Sequence, residues 1–217
     1  MICLPVKQNG RNEIKEVIHL IRRQDYEQNK PEYIIGVGSI SNDIKDFVKS
    51  FKHAQTALKL LFFMKDEDVL YYDDFIPTEK IQESAVYEFL QSAPEYSKRI
   101  LNAVVSSDSQ EINSITDEMF DAICENYVDK NFVCNFLADI INEISILLLS
   151  KGDSFNIGYD SGDDILKAFQ SCIKLEHLKK WFNTLLINAN KCFEKQRKNK
   201  EEYIIESVLN IIENEYM

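Results

Sequence analysis

Gly36 and Gly38 stand two residues apart in YIIGVGSIS, Tyr33 to Ser41, where an apolar run meets a long amphipathic stretch. Glycines at a strand-to-helix turn could bring main-chain N–H groups against phosphate oxygens, the chemistry of a dinucleotide site. That site needs a third glycine where Ser41 stands, and an acidic ribose ligand after a shorter helix than the one that follows here. The two glycines fit better on a strand that another backbone or a bulky side chain approaches closely.

Other residues that could do chemistry assemble no set. Asp73–Asp74 follow VLYY, as an acidic pair would in a receiver domain, but the later strands with their Asp, Ser/Thr and Lys are missing, so the pair reads as a polar strand end. The loop Lys151 to Asp164 is rich in aspartate. A calcium loop started at Asp153 puts Phe155 and Ile157 where oxygens are needed, and one started at Asp160 puts Gly162 at its third position. His19, His53 and His177 lie far apart on helical stretches without a metal-spaced partner, and each reads as a surface or packing histidine. No G-x-S-x-G, H-E-x-x-H or Walker sequence occurs. The expected catalytic, cofactor-binding and metal residues are therefore none. Cys3, Cys124, Cys134, Cys172 and Cys192 are odd in number and widely spaced, as reduced, mostly buried thiols would be.

The elements that would carry these residues divide at about Pro77. MICLPVK reads as a short strand, GRNEIKEVIHLIRRQDYEQ as a helix with Ile14, Val17, Ile18 and Ile21 on one face, and Lys30-Pro31 as its break. EYIIGVGSI reads as a strand. The next helix begins at a Ser41 cap, with Asp43 and Asp46 near its first turn, and turns Ile44, Phe47, Phe51, Ala54, Leu58 and Leu61 to a core. EDVLYYDDF returns as a strand. Beyond Pro77 the segments SAVYEFLQ, PEYSKRILNAVV, SQEINSITDEMFDAICENY, KNFVCNFLADIINEISILLLS, DDILKAFQS and LEHLKKWFNTLLINANKCFEKQRKN all have helical period, with Asp108 and Glu111 as an acidic capping box. The expected fold class is α+β and predominantly helical, an α/β portion followed by an all-α segment.

Charge limits the partners. The net charge is −11, with 11 basic and 12 acidic residues in Met1–Phe75 against 14 and 24 in Ile76–Met217. So acidic a surface repels a phosphate backbone and argues against direct DNA binding. KCFEKQRKNK, Lys191 to Lys200, is the local exception and reads as a solvated helix face. MICLPVKQNGR turns polar too soon for a signal peptide, and the apolar VCNFLADIINEISILLL carries Asp139 and Glu143. A cytoplasmic, membrane-free location is expected.

As a unit, YIIGVGSISNDIKDFVKSFKHAQTALKLLFFMKDEDVLYYDDF resembles the second half of a GGDEF-like domain, in the degenerate form of CdaR/PucR and AraC-type response regulators. The resemblance lies in Ile35-Gly36-Val37-Gly38, in Ser50-Phe51-Lys52-His53-Ala54-Gln55-Thr56-Ala57-Leu58, and in the strand Val69 to Asp73. No GG(D/E)EF motif occurs within the chain, so the resemblance implies neither phosphoryl transfer nor cyclic-dinucleotide binding. LEHLKKWFNTLLINANKCFEKQRKNKEEYIIESVLNIIENEYM is similar to the connector helix of the AraC type, with Trp181 at a recurrent Trp position and VLNIIENEY like the opening helix of its DNA-binding domain.

The resemblance implies a truncated GGDEF-like α/β domain over 1–76, a helical regulatory segment over 77–174, and over 175–217 a connector helix with the start of an absent DNA-binding domain. The implied function is a non-catalytic regulatory and dimerisation region of an AraC-type transcription regulator, of two-component response-regulator kind. DNA would be contacted only through a helix-turn-helix domain outside these residues. A half GGDEF-like sheet leaves an unpaired edge, so a homodimer is expected. The alternatives are a stand-alone helical protein-interaction module and a nucleotide-sensing domain at Gly36/Gly38.

Overall fold

A computed structural model describes residues 10–27, 33–40, 43–74, 83–151 and 162–216. The proposed MICLPVK strand, the Lys30-Pro31 break, the Ser41 cap, Cys3, and Asp153 and Asp160 of the aspartate-rich loop lie outside them. The fold is α+β and predominantly helical, and contacts divide the chain into Met1–Ile76 and Pro77–Met217.

The first unit is built on a strand–helix–strand crossover. Helix α1 spans Gly10–Glu27, strand β1 Ile35–Val37, helix α2 Phe47–Leu61 and strand β2 Val69–Tyr71. Strands β1 and β2 pair in parallel, Ile35 opposite Val69 and Val37 opposite Tyr71. Parallel neighbours need a crossover between them, which α2 supplies by packing on both strands. The entry to α2 is a 3₁₀ turn, Ile44–Asp46, where the Asp43 carboxylate accepts the Lys45 N–H at 3.0 Å. Asp73 and Asp74 lie in a second 3₁₀ turn, Tyr72–Asp74, directly after β2.

The expected core stripe of α2 is only partly buried. Ala57, Leu60 and Leu61 are buried, whereas Phe47, Phe51 and Leu58 remain exposed. The helix meets the sheet through smaller residues instead.

The second unit packs α3 (Glu83–Ser106), α4 (Ser109–Glu125), α5 (Lys130–Ser150), α6 (Gly162–Ser171) and α7 (Leu175–Tyr216). Asp108 caps α4, its carboxylate accepting the N–H groups of Gln110 and Glu111, and Asp129 caps α5 in the same way. The α3–α4 and α4–α5 turns use non-glycine residues in the left-handed region, Ser107 (φ 61°) and Tyr127 (φ 47°). After each, an N–H reaches back five residues, Asp108 to Ala103 and Val128 to Ile123, which satisfies helix-end carbonyls. The segments read separately on either side of Pro94 run as one helix, α3, with Pro94 exposed inside it.

Helix α5 is long and apolar enough to cross a bilayer by length and composition. Here eight of its residues, from Val133 to Leu148, are buried in the unit's core. Phe89, Phe132 and Phe136 cluster on one side of that core, and Phe120, Phe169, Trp181 and Phe182 on another. Cys134 is buried and Cys124, Cys172 and Cys192 are half-buried, and none of the four forms a disulfide. Burial pushes the Cys134 thiol up to about 11.

Candidate functional site

Three places could carry function: the glycine turn, a basic cleft at one end of the helical unit, and the far end of α7.

At the glycine turn the space above the strand is taken by α2. A Cβ on Gly36 would lie 2.4 Å from the Ala54 carbonyl oxygen, and one on Gly38 would lie 2.1 Å from that of Ser50. Both glycines thus admit a helix backbone, and small residues four apart, Ser50 and Ala54, form the matching surface of the helix. This contact rotates α2 away from the Phe47/Phe51 stripe. Its sequence signal was the small-residue spacing, which a search for apolar periodicity passes over.

Side chains then lock the turn. Ser50 Oγ donates to the Ser39 carbonyl at 2.7 Å, Ser39 Oγ and His53 Nδ1 are hydrogen-bonded at 2.7 Å, and the His53 ring stacks on Tyr72 with centroids 3.8 Å apart. His53 is therefore a packing histidine with a polar contact. Nearby, Arg11 pairs with Asp74 and lies 4.9 Å over the Tyr71 ring. The cavity among Arg11, Ile14, Val37, Gly38, Tyr71 and Asp73 has a volume near 30 Å³. That is room for about one water molecule, whereas small-molecule pockets run to roughly 300–1,000 Å³. No group of three His, Cys, Asp or Glu among the described residues is arranged to hold a metal.

The basic cleft, near 790 Å³, is bounded by Val105, Lys151, Phe193 and the Lys195–Lys200 turn of α7. Its cations already have work. Arg197 donates to the Val105 carbonyl and to Ser107 Oγ at the C-terminal end of α3, and Lys151, just past α5, lies 4.7 Å over the Phe193 ring. Positive charge at those two helix ends offsets the partial negative charge of their free carbonyls. The KCFEKQRKNK stretch is thus half structural, through Phe193 and Arg197, and half solvated, through Lys195, Lys198 and Lys200.

Helix α7 is one unbroken helix of 42 residues, about 63 Å long. Leu175, Leu178, Phe182, Leu186, Ala189 and Phe193 bury its first half against the other helices, and the Phe169 and Trp181 rings form a T-shaped pair with centroids 4.8 Å apart. Beyond Arg197 the apolar residues face outward: Tyr203 is 71 % exposed and Ile205 58 %. The connector-helix reading of the C-terminal segment does not foresee an apolar surface left open here.

No protein-family model, curated protein or solved structure matches the chain.

Proposed function

We propose that the chain is the non-catalytic regulatory and dimerisation region of a bacterial, cytoplasmic AraC-type transcription regulator, of the two-component response-regulator kind. In this reading Met1–Ile76 is a degenerate, GGDEF-like framework, and the helical unit holds and transmits a signal by contact. DNA is bound only by helix-turn-helix units that α7 leads into.

The observation that carries the reading is α7: a single helix, fixed in a helical core at one end and free of that core at the other, suits a connector between a regulatory body and an effector domain. The filled notch over Gly36 and Gly38 supports a framework role for the first unit in place of a nucleotide site. The acidic balance supports the absence of DNA affinity in the chain itself.

The reading is tested by joining paired helix-turn-helix units in frame after Met217 and measuring binding to DNA with one or two half-sites. The joined protein should bind the two-site probe far more tightly than the one-site probe, and the chain alone should shift neither. Equal affinity for both probes, or a sequence-specific shift by the chain alone, would contradict it.

A further inference from the structure

The outer part of α7 presents Ile204, Ile205, Val208, Leu209, Ile211 and Ile212, each at least 48 % exposed. They recur at steps of three and four residues, so they form one broad stripe along the helix. Five of the six are β-branched, a class that loses side-chain freedom in a helix and contributes little to its intrinsic stability. A projecting helix of this composition gains from packing on its apolar face, because most helical stability in proteins comes from such packing.

Charge along the same helix says what can pack there. Lys195, Arg197, Lys198 and Lys200 precede the stripe, while Glu201, Glu202, Glu206, Glu213 and Glu215 accompany and follow it. A parallel pair of these helices sets the lysine ends against each other and the glutamate ends against each other. An antiparallel pair sets each lysine end against a glutamate end, and the arrangement is self-complementary under a two-fold axis.

We infer that the outer part of α7 pairs antiparallel with the same segment of a second copy of this chain, centred near Val208. That register puts Ile204 opposite Ile212 and Ile205 opposite Ile211. It also brings Lys200 of one helix to the level of Tyr216 of the other, within one turn of Glu213 and Glu215, while Glu201 falls opposite Glu215. Val208 lies 11 residues beyond Arg197, the last residue seen gripping the helical core. At 1.5 Å per residue each helical core then stands about 16 Å along the helix from the centre of the pairing. The inference rests on the homodimer in the proposed function and moves its contact from a sheet edge to this helix.

Sedimentation velocity of the full chain over a concentration series tests it. The chain should form a dimer that weakens as salt rises, since opposite charges meet across the pair. Ile205→Glu and Ile212→Glu should each abolish the dimer while the circular dichroism of the helical core persists. Lys200→Glu, which leaves the stripe intact, should raise the dissociation constant about three- to tenfold, because it acts at two symmetry-related rim contacts. A chain that stays monomeric, with the stripe left for a helix-turn-helix domain to cover, would overturn the inference. A dimer indifferent to Ile205→Glu would overturn the tail contact and spare the homodimer. A dimer that tightens with salt or with Lys200→Glu would overturn the antiparallel geometry.

Discussion

The two halves of α7 have similar apolar periodicity and opposite fates. From Leu175 to Phe193 the large apolar residues sink into a core of four other helices; from Tyr203 to Ile212 they stand in solvent. Nothing in the spacing separates them. The difference is what surrounds each half: Phe120 and Phe169 meet the first at Phe182, whereas the helices packed on α7 end near Val105, Ser107 and Lys151, where Arg197 and Phe193 meet them. A helical stripe therefore reports an apolar face, not what meets it.

The largest effect should fall on the buried half. Phe182→Ala removes a fully buried ring and should lower unfolding stability by about 3–5 kcal/mol in chemical denaturation. If Phe182→Ala proves as mild as a change in the outer half, the contrast between the halves is wrong.

Helix α2 sharpens the contrast by a different means of attachment, since it is held by close backbone approach. Gly38→Ala drives a methyl group into the Ser50 carbonyl and should destabilise the first unit by about 3 kcal/mol, the upper end of ordinary overpacking costs. Limited proteolysis within α2 reads this directly. Unchanged resistance would show that the notch has room after all, and would reopen the turn to a ligand.

Cys134, inside the helical core, should reveal burial through pH. Its folded-state pKa, about 11, lies above the ordinary thiol value. Its stabilising contribution is thus whole below about pH 8.5, where the thiol is protonated in both states. It is lost as pH rises toward 11, because the unfolded thiol ionises first. The loss should approach 2 kcal/mol in size, an approximate figure from the shift, and Cys134→Ala should flatten that part of the profile. The smallest effect belongs to the outer half: Ile205→Ala at a concentration where the chain is monomeric should change unfolding by less than about 0.5 kcal/mol.

The alternation of strand, helix and strand around Gly36 and Val69 was legible because β-branched runs and a long amphipathic stretch announce themselves. So was the Asp108 cap, whose side chain does take two N–H groups. Pro94 misled, since a proline lacks the N–H that a helix interior uses. Here Phe89 and Ala93 before it, and Tyr96 and Ile100 after it, are all buried on one face, so packing carries α3 through. The face of α2 also eluded periodicity, because Ser50 and Ala54 meet the strand by being small. No catalytic residue was expected, and the cluster of Ser39, Ser50, His53 and Tyr72 was missed: its members come from three separate segments and join only once α2 settles on the glycines.

Hydrogen exchange along α7 at low and high protein concentration separates the two halves of the helix. Amides from Leu175 to Phe193 should be protected equally at both, while those from Tyr203 to Ile212 should gain protection as concentration rises. Protection of the outer segment that is the same at every concentration would contradict the account.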